Sequence, residues 1–261
     1  MELNKPNTVA IIQARLGSTR LPGKVLLEVE GKPVLLHIVN RLKRVLKVDE
    51  VIIATSTLKI NSKIVSFCKK NNIKYFVGSE DNVLDRFYHA ALVYKPKNII
   101  RITGDCPLLD SDLIDKLINY YEKNDFDYCG IATGAGVANK EGVFRYPDGL
   151  DAEIFKFSIL ENAFKNATTK LELEHVTPFI WGNSQMFKLG VLNSDVDYSN
   201  LRWTLDNLED FKLIKWIYSQ LYSKNNYFNM FEVIKLLEEN KQVLKTNNHL
   251  IGKEGYEIFS K

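Results

Sequence analysis

Apolar runs and helically spaced apolar residues alternate along the first hundred residues of the chain. Four runs have the length and the β-branched content of buried strands, at residues 8–13, 50–55, 73–77 and 98–103. Helical spacing predicts helices over residues 34–46 and 60–71 and a third helix through Val83, Phe87 and Ala91. This alternation predicts an α/β fold, a mostly parallel sheet flanked by helices that binds ligands at the carboxyl ends of its strands.

The second half of the chain continues the pattern less regularly. It predicts helices over 113–121, 158–167 and 208–222 and from Met230, and strands over 126–129, through Phe155, over 186–190 at a sheet edge and ending at Asp206. The buried stripe of helix 208–222 is expected at Leu208, Phe211, Ile214 and Ile217 or Tyr218. Residues 130–145 lack periodicity and are expected to form a flexible loop, and residues 239–261 a polar C-terminal tail. We interpret residues 1–261 as a single domain.

Composition and charge narrow the class of protein. The 261 residues are 45% hydrophobic and 26% charged, which are globular values, and the net charge of +3 is too small to indicate nucleic acid as a partner. No apolar run reaches the roughly 18 residues of a membrane span, and no signal pattern opens the chain, so we expect a cytoplasmic protein without a membrane partner. The sequence leaves open whether two copies form a homodimer.

The cysteines Cys68, Cys106 and Cys129 are widely separated and include no C-x-x-C pair. A disulfide framework and a zinc site are therefore not indicated. We interpret Cys68 and Cys129 as buried apolar residues. A nucleophilic role for Cys106 would need a base, and the sequence assigns none.

The first predicted strand runs into a loop that holds glycines, hydroxyl side chains and three cations. Glycines let backbone N–H groups approach an anion closely, and fixed positive charges neutralise a polyphosphate. The loop therefore predicts a triphosphate site, although a basic Gly/Pro turn can also be a solvated connection. Its spacing matches neither G-x-x-x-x-G-K-[ST] nor G-x-G-x-x-G, so a different nucleotide fold is implied. The candidate nucleotide-binding residues here are Gln13, Ala14, Arg15, Gly17, Ser18, Thr19, Arg20 and Lys24.

Polar residues also follow the second and third predicted strands, at the sheet edge that carries this loop. Thr55, Ser56, Glu80 and Asp81 are candidates for contact with the base or the ribose of a nucleotide. The alternative is that Ser79 or Asp81 caps the helix that follows.

Two aspartates end predicted strands in different parts of the chain. Asp105 follows Gly104, a further candidate for nucleotide contact, and Asp206 lies about a hundred residues later. Two such carboxylates suit Mg²⁺, which takes one or two protein carboxylates and completes its octahedron with phosphate and water. Alternatively, Asp105 is a turn residue ahead of Pro107, and Asp206 caps the following helix.

Two further segments concentrate polar chemistry that has no evident phosphate role. Carboxylates and an imidazole can orient the hydroxyl groups of an acceptor, and one of them could deprotonate an acceptor oxygen. By composition alone, the acidic turn is surface and a lone histidine is structural. The candidate acceptor-binding residues are Tyr146, Asp148, Asp151, Glu153, Glu174 and His175, with Arg202 for an anionic group.

Several short sequence motifs of this chain resemble those of the cytidylyltransferases related to the spore-coat polysaccharide protein SpsF, and they occur in the same order. That family in turn resembles the enzymes that make CMP-activated sugar acids. The resemblance extends from residue 9 to about residue 222. The phrases are QARLGSTRLPGK at 13–24, GSEDNVLDR at 78–86, RITGDCPL at 101–108, YPDGLDAE at 146–153, EHVTP at 174–178 and WTLD at 203–206.

The resemblance implies the nucleotide-diphospho-sugar transferase (GT-A, Rossmann-like) fold and an activity. The expected reaction transfers CMP from CTP to a small sugar-like acceptor and releases pyrophosphate, in surface polysaccharide or glycoconjugate synthesis. The resemblance further implies catalytic roles for Arg15, Lys24, Asp105 and Asp206, with the two aspartates holding Mg²⁺ as the cofactor.

Two other functions stay open at the level of sequence. A glycosyltransferase of related fold would use a finished nucleotide sugar, but such enzymes place an Asp-x-Asp where this chain reads Gly104-Asp-Cys-Pro107. A catalytically silent nucleotide-binding module is disfavoured because all three loop cations and both aspartates are present.

Overall fold

The computed structural model describes residues 6–133 and 143–252. Its strands are β1 (Thr8–Gln13), β2 (Glu28–Val29), β3 (Lys32–Pro33), β4 (Glu50–Ser56), β5 (Lys74–Gly78), β6 (Asn98–Thr103), β7 (Tyr128–Ile131), β8 (Glu153–Lys156) and β9 (Leu189–Leu192). Its α-helices are α1 (Val34–Leu42), α2 (Ser62–Lys70), α3 (Val83–Tyr94), α4 (Ser111–Asn124), α5 (Phe157–Asn166), α6 (Lys170–His175), α7 (Pro178–Gly182), α8 (Leu208–Leu221) and α9 (Met230–Glu239). Within the described residues no helix is both long and apolar enough to cross a membrane.

The large sheet has the strand order β5-β4-β1-β6-β8-β7-β9. The first four of these strands are parallel neighbours, β8 is antiparallel to β6 and β7, and β9 at the edge is parallel to β7. The predicted α/β class with a mostly parallel sheet is confirmed. Because β1 lies between β4 and β6, the loop that follows it emerges at the carboxyl edge of the parallel strands.

Strand β1 supplies side chains to two apolar layers, one on each face of the sheet. Ala10 and Ile12 belong to the cluster that includes α1, α4, α8 and α9, while Val9 and Ile11 belong to the cluster with α3 and α5. Successive side chains of a strand point to opposite faces, and helices cover both faces here. The near-continuous apolar sequence of β1 follows from this double burial.

The buried stripe of helix α8 agrees with the prediction at Ile214 and Ile217 and differs from it at Leu208. Leu208 is 51% exposed, whereas Asp210, Leu213, Ile214 and Ile217 are buried. Their spacing is helical, so the buried face has rotated toward Asp210. The reason is that Asp210 pairs with the buried guanidinium of Arg202 (Nε to Oδ1, 3.0 Å), which draws this carboxylate into the interior.

The predicted strand that ends at Asp206 does not form. Residues 201–206 form backbone hydrogen bonds with other loops. The strand-type pairing in this segment is an isolated parallel bridge between Arg202 and Asp148. The amide of Trp203 donates to the carbonyl of Asp148 (2.6 Å), and the amide of Leu205 donates to that of Asp105 (2.8 Å). Asp206 is therefore positioned by contacts between loops.

Two boundary predictions also need correction. The predicted loop 130–145 begins inside β7, because Gly130 and Ile131 pair with neighbouring strands; residues 134–142 of it lie outside the described residues. Within the predicted tail 239–261, 3-10 helices form at Lys241–Thr246 and Asn248–Leu250 with Asn247 buried between them, and residues 253–261 lie outside the described residues.

All three cysteines are buried, as predicted for Cys68 and Cys129. Burial raises the pKa of both these thiols to about 12. Burial, with the nearby charge of Asp105, also raises the pKa of Cys106 well above its ordinary value. The neutral thiol is a poor nucleophile, so the structure gives Cys106 no nucleophilic chemistry at neutral pH.

Candidate active site

A cavity of about 300 Å³ opens at the carboxyl ends of β1 and β6. Thr103 and Val25 line it together with most of the predicted nucleotide-binding residues and both predicted metal ligands. These are Gln13, Ala14, Arg15, Gly17, Ser18, Thr19, Arg20, Lys24, Gly104, Asp105 and Asp206. Residues that lie up to 193 positions apart in the chain (Gln13 to Asp206) are thus gathered around one space.

Two hydrogen bonds of Leu16 hold the loop that lines this cavity. The side-chain oxygen of Asn61 accepts from the amide of Leu16 (2.8 Å), and the amide of Gly23 donates to the carbonyl of Leu16 (3.3 Å). Gly23 adopts the left-handed conformation (φ 72°), which glycine reaches without steric cost, and it immediately precedes the short 3-10 helix Lys24–Leu26. The turn at Gly23 therefore directs Lys24 back toward the strand ends.

The ammonium group of Lys24 bridges the two aspartates. Its Nζ lies 2.7 Å from Asp105 Oδ2 and 2.7 Å from Asp206 Oδ1. Burial opposes the charge on Lys24, but the two carboxylates outweigh it and raise the pKa of Lys24 above its ordinary value. Burial likewise opposes ionisation of Asp105, and the charge and hydrogen bond of Lys24 nevertheless lower the pKa of Asp105. Lys24 and Asp105 accordingly form an ion pair at neutral pH.

Asp206 attracts two further cations. Arg20 Nη2 lies 3.0 Å and Arg202 Nη2 3.4 Å from Asp206 Oδ2. The alternative that Asp206 caps helix α8 is wrong, because Asn207 occupies the N-cap position. The Asp206 side chain is therefore available to the cavity.

Close packing sets the distance between the loop and Asp105. A Cβ atom on Gly104 would lie 3.0 Å from the backbone oxygen of Gln13 and 3.2 Å from the Ala14 Cβ. The Gly104 amide also donates to this Gln13 oxygen (2.9 Å). Glycine thus permits the ends of β1 and β6 to approach, which brings Asp105 to the cationic loop.

The donor set fits a divalent cation. Mg²⁺ takes oxygen ligands at about 2.0–2.1 Å and accepts one or two carboxylates beside phosphate and water. Asp105 and Asp206 direct one oxygen each at a single point, which the Lys24 cation marks. Among the described residues no group of three or more His, Cys, Asp or Glu side chains is arranged to hold a metal.

A second cavity of about 100 Å³ shares Gln13, Ala14 and Arg15 with the first. Glu174 and His175 line it on one side, and Val83 and Arg86 line it on the other. Burial and the charge of Arg101 lower the pKa of His175, which therefore carries a neutral imidazole at pH 7. Two of the predicted acceptor residues thus lie beside the start of the cationic loop.

Residues at the end of β4 and just after β5 form hydrogen bonds and an ion pair that hold Arg15 of the cationic loop. Arg15 Nη1 lies 3.3 Å from Glu80 Oε1, and Glu80 also accepts a hydrogen bond from Ser56. Thr55 and Ser56 are buried and line neither of these two cavities, while Asp81 is exposed.

The expectation that Ser79 or Asp81 caps helix α3 is wrong. Asn82 is the N-cap, and its side chain accepts from the amide of Asp85 (2.8 Å). Ser79 supports this cap, since its hydroxyl accepts from the Asn82 amide (3.0 Å). The pattern of Asn at N-cap and Asp at N3 resembles a capping box, which identifies this helix start from sequence.

The other predicted acceptor residues do not form one surface. Asp148 pairs with Arg202 (Oδ2 to Nη1, 3.0 Å), whose side chain is only 1% exposed, so Arg202 is not available to an anionic acceptor. Glu153 accepts from Arg101 (2.5 Å), from Thr177 (2.8 Å) and from Tyr128. Its carboxylate is occupied within the fold.

Asp151 and Tyr146 occupy two different environments. Asp151 accepts from the Thr133 hydroxyl and from the amide of Gly149 (2.9 Å), and burial raises its pKa. Tyr146 is buried and lines a third cavity of about 170 Å³ beside α4 and α9, with its hydroxyl between Lys116 and the carbonyl of Asn193. Tyr146 was predicted to bind the acceptor with Glu174 and His175, but it lines a different cavity from theirs.

Sequence reasoning missed several buried polar residues that form hydrogen bonds to the predicted site residues or to the segments that carry them. Asn61, Arg86, Arg101 and Asp210 are buried polar residues, and all but Arg86 have a hydrogen-bond partner in a distant segment. Only Arg86 and Arg101 carried a signal, because they fall inside phrases of the resembling family.

A mostly parallel sheet with a cationic loop facing two carboxylates defines a nucleotidyltransferase of the Rossmann-like type. The model of the cytidylyltransferase family matches residues 9–250, and the chain belongs to that family. It is 31% identical over 237 residues to the spore coat polysaccharide biosynthesis protein SpsF of Bacillus subtilis, covering 88% of this chain and 93% of that protein.

Two further comparisons agree with this assignment. The structure of a cytidylyltransferase from Leptospira borgpetersenii superposes with a TM-score of 0.82 at 30% identity, covering 91% of this chain and 96% of that one. A 3-deoxy-manno-octulosonate cytidylyltransferase of Thermodesulfovibrio yellowstonii is 33% identical over 150 residues, 54% of this chain and 56% of that protein. The predicted resemblance to SpsF and to the enzymes of sugar-acid activation is thus confirmed.

Proposed function

We propose that the protein transfers CMP from CTP to an oxygen of a sugar-like acceptor and releases pyrophosphate, with Mg²⁺ as its cofactor. The expected setting is cytoplasmic synthesis of a surface polysaccharide or glycoconjugate. The observation that carries this proposal is the convergence of Lys24 with Asp105 and Asp206, at 2.7 Å each, inside the cavity lined by the cationic loop.

The nucleotide is proposed to bind with its phosphates on the loop. Arg15, Arg20 and Lys24 supply charge, and the glycine-bearing backbone between them supplies N–H donors. The side chains of Arg15 and Arg20 are 46% and 47% exposed, so both can turn to a ligand without unfolding the loop. Choice of CTP over other nucleotides rests on membership of the family.

The proposed chemistry is an in-line displacement at the α-phosphorus. The acceptor oxygen forms a bond to this phosphorus and passes its proton to His175 or to water, while the bond to the bridging oxygen of the β-phosphate breaks and pyrophosphate leaves. Catalysis of this kind consists mainly of positioning and charge neutralisation. Lys24 and the two arginines neutralise the phosphates, and no covalent intermediate on the protein is needed.

Asp105 and Asp206 would hold the magnesium ion. When bound, such an ion polarises the phosphoryl oxygens and stabilises the charge that develops during transfer. The role of the two aspartates is to keep two oxygens directed at one point. The bond from Leu205 to the carbonyl of Asp105 (2.8 Å) supports this role, because it joins the two segments next to their carboxylates.

The acceptor is proposed to contact Glu174 and His175, which line the second cavity beside the cationic loop. The neutral imidazole of His175 can accept a proton or donate a hydrogen bond to a hydroxyl group. The relative from T. yellowstonii is named for a sugar acid, which supports a polyhydroxylated acceptor as the chemical class.

Release of pyrophosphate tests the proposal. The purified protein is mixed with MgCl₂, each of the four ribonucleoside triphosphates and a panel of sugars and sugar acids, and pyrophosphate is measured with and without EDTA. We expect release only with CTP, magnesium and an acceptor together, and a CMP-linked product by mass spectrometry. Release of free nucleoside diphosphate from a nucleotide sugar would favour a glycosyltransferase, and no turnover with any panel member would favour a silent binding module.

A further inference from the structure

A buried polar cluster lies directly behind Asp206. It consists of Arg202, Asp210 and Asn247, which are 2%, 0% and 2% exposed. Arg202 donates to Asp210 through Nε (3.0 Å) and Nη2 (3.2 Å), and Nη2 also lies 3.4 Å from Asp206 Oδ2. One guanidinium group therefore joins the carboxylate of Asp206 to the buried carboxylate of Asp210.

Asp210 fixes the backbone of Asp206 as well. Asp210 Oδ2 accepts from the amide of Asp206 (3.0 Å) and from the amide of Asn207 (2.9 Å). A capping role at the start of α8 explains only the bond from Asn207. The bonds that Asp210 accepts from Arg202 and from the Asp206 amide go beyond capping. Asp210 thus binds the main chain of Asp206 directly and reaches its side chain through Arg202.

Asn247 completes the cluster from the C-terminal 3-10 segment. Its amide nitrogen Nδ2 donates to the carbonyl of Arg202 (3.0 Å) and to Asp210 Oδ1 (2.9 Å). Asn247 thus holds Asp210 in register with Arg202.

Stability alone does not account for this arrangement. A buried ion pair recovers its desolvation cost only with good geometry, and replacement by apolar residues is often neutral for stability. Groups that orient a metal ligand, by contrast, typically change metal affinity or activity about 10- to 100-fold when they are removed. The cluster has the geometry of such an orienting shell.

We infer that Asn247 and Asp210 are positioning residues that act through Arg202 to orient Asp206 for the metal ion. The inference rests on the proposed metal role of Asp206. It makes the C-terminal segment, where sequence reasoning found no functional signal, a part of the active-site machinery.

Binding of Mn²⁺ tests this inference without relying on turnover. Free Mn²⁺ is followed by electron paramagnetic resonance in the presence of CTP and the absence of acceptor, for the wild type and for Asn247→Ala. We expect Asn247→Ala to weaken Mn²⁺ binding about 10-fold or more. Its CTP affinity, measured by calorimetry in EDTA, should stay within about twofold because the loop cations are untouched.

The matched control is Asn248→Ala, since Asn248 is the next residue of the same segment and is exposed. This variant should retain the wild-type Mn²⁺ affinity. If Asn247→Ala does not fold, Asn247→Leu replaces it, because this substitution nearly keeps the side-chain size and removes the two N–H donors without adding a charge. Unchanged Mn²⁺ affinity in the folded variant, whatever its melting temperature, overturns the inference.

Asp206→Asn, measured in the same titration, separates the two claims. A loss in Asp206→Asn without a loss at Asn247 rejects the positioning role and keeps the proposed function. No loss in Asp206→Asn rejects the metal role of Asp206, and the positioning inference falls with it.

Discussion

The backbone amide of Leu205 donates to the carbonyl of Asp105 over 2.8 Å. This bond joins the loop after β6 to the segment that precedes α8, although about a hundred residues separate them in the chain. Each segment carries an aspartate that reaches the same ammonium group of Lys24. A backbone hydrogen bond thus holds together the two segments that carry the aspartates.

Asp105→Asn and Asp206→Asn should each nearly abolish turnover. An amide is a neutral and weaker ligand for a hard cation, so the loss belongs to the metal site. Initial rates over a magnesium titration measure it, with circular dichroism to confirm folding. Asp195→Asn, at an exposed aspartate, is the control; near-normal activity of either variant at low magnesium would remove that residue from the metal site.

Arg15→Ala and Lys24→Ala should weaken CTP binding about tenfold or more, since charge-assisted hydrogen bonds contribute roughly 1.5–3 kcal/mol each. Lys43→Ala removes an exposed cation away from the cavity and should bind CTP as the wild type does. Calorimetric titration with CTP decides the matter. Wild-type affinity in both loop variants would contradict the assignment of the phosphates to this loop.

His175→Ala and Glu174→Gln should impair use of the acceptor far more than binding of CTP. The reason is that both residues line the second cavity with polar groups that can bind hydroxyls, and neither belongs to the cationic loop. KM for each substrate is measured, with His249→Ala as the control at an exposed histidine. His175 also lines the cavity bounded by Ala14 and Arg15, so a rise in KM for CTP alone would reassign that cavity to the nucleotide.

Gly149→Ala should destabilise the protein strongly. Gly149 has φ +101°, and a Cβ atom there would lie 2.4 Å from the Thr204 amide nitrogen and 2.5 Å from the Trp203 carbonyl carbon. Backbone strain of this kind costs of order 1–3 kcal/mol before the clash is counted. Thermal unfolding measures the loss; Gly182→Ala, where a Cβ meets nothing within 4 Å, is the control, and equal melting temperatures would contradict the argument.

Stability should fall as the pH drops below about 6.5 because of His37. Burial, with the charges of Arg41 and Lys32, lowers the pKa of His37, and its Nε2 bonds to the carbonyl of Val29 (2.8 Å). Since its folded pKa lies below the unfolded value, the stabilisation is present above that value and is lost as the pH falls through the folded pKa. Melting temperatures between pH 8 and pH 5 measure the decline.

His37→Gln provides the comparison for this pH dependence. Glutamine can still donate to the carbonyl of Val29 and does not titrate. The decline should therefore be smaller in this variant than in the wild type. Parallel curves for the two proteins would assign the acid sensitivity to other groups.

The sequence alone determined the α/β class and the location of the nucleotide loop. Parallel strands that are covered on both faces need near-continuous apolar runs, as in 8–13 and 98–103, and local pattern reveals such runs. The glycines and cations of residues 13–24 lie within one short segment, so their chemistry can be inferred without knowledge of the fold. The resemblance to known phrases supplied the nucleotide and the two aspartates, which spacing could not.

Only the tertiary structure decided which polar residues face the cavity and which are held inside. Arg202 and Glu153 have the composition of binding residues, yet each is enclosed by partners from segments distant in the chain. Asn247 looked like part of a polar tail and is buried against Arg202 and Asp210. Periodicity reports which face of an element is apolar, whereas a buried polar residue is chosen by its partners, and those partners are defined only when the chain has folded.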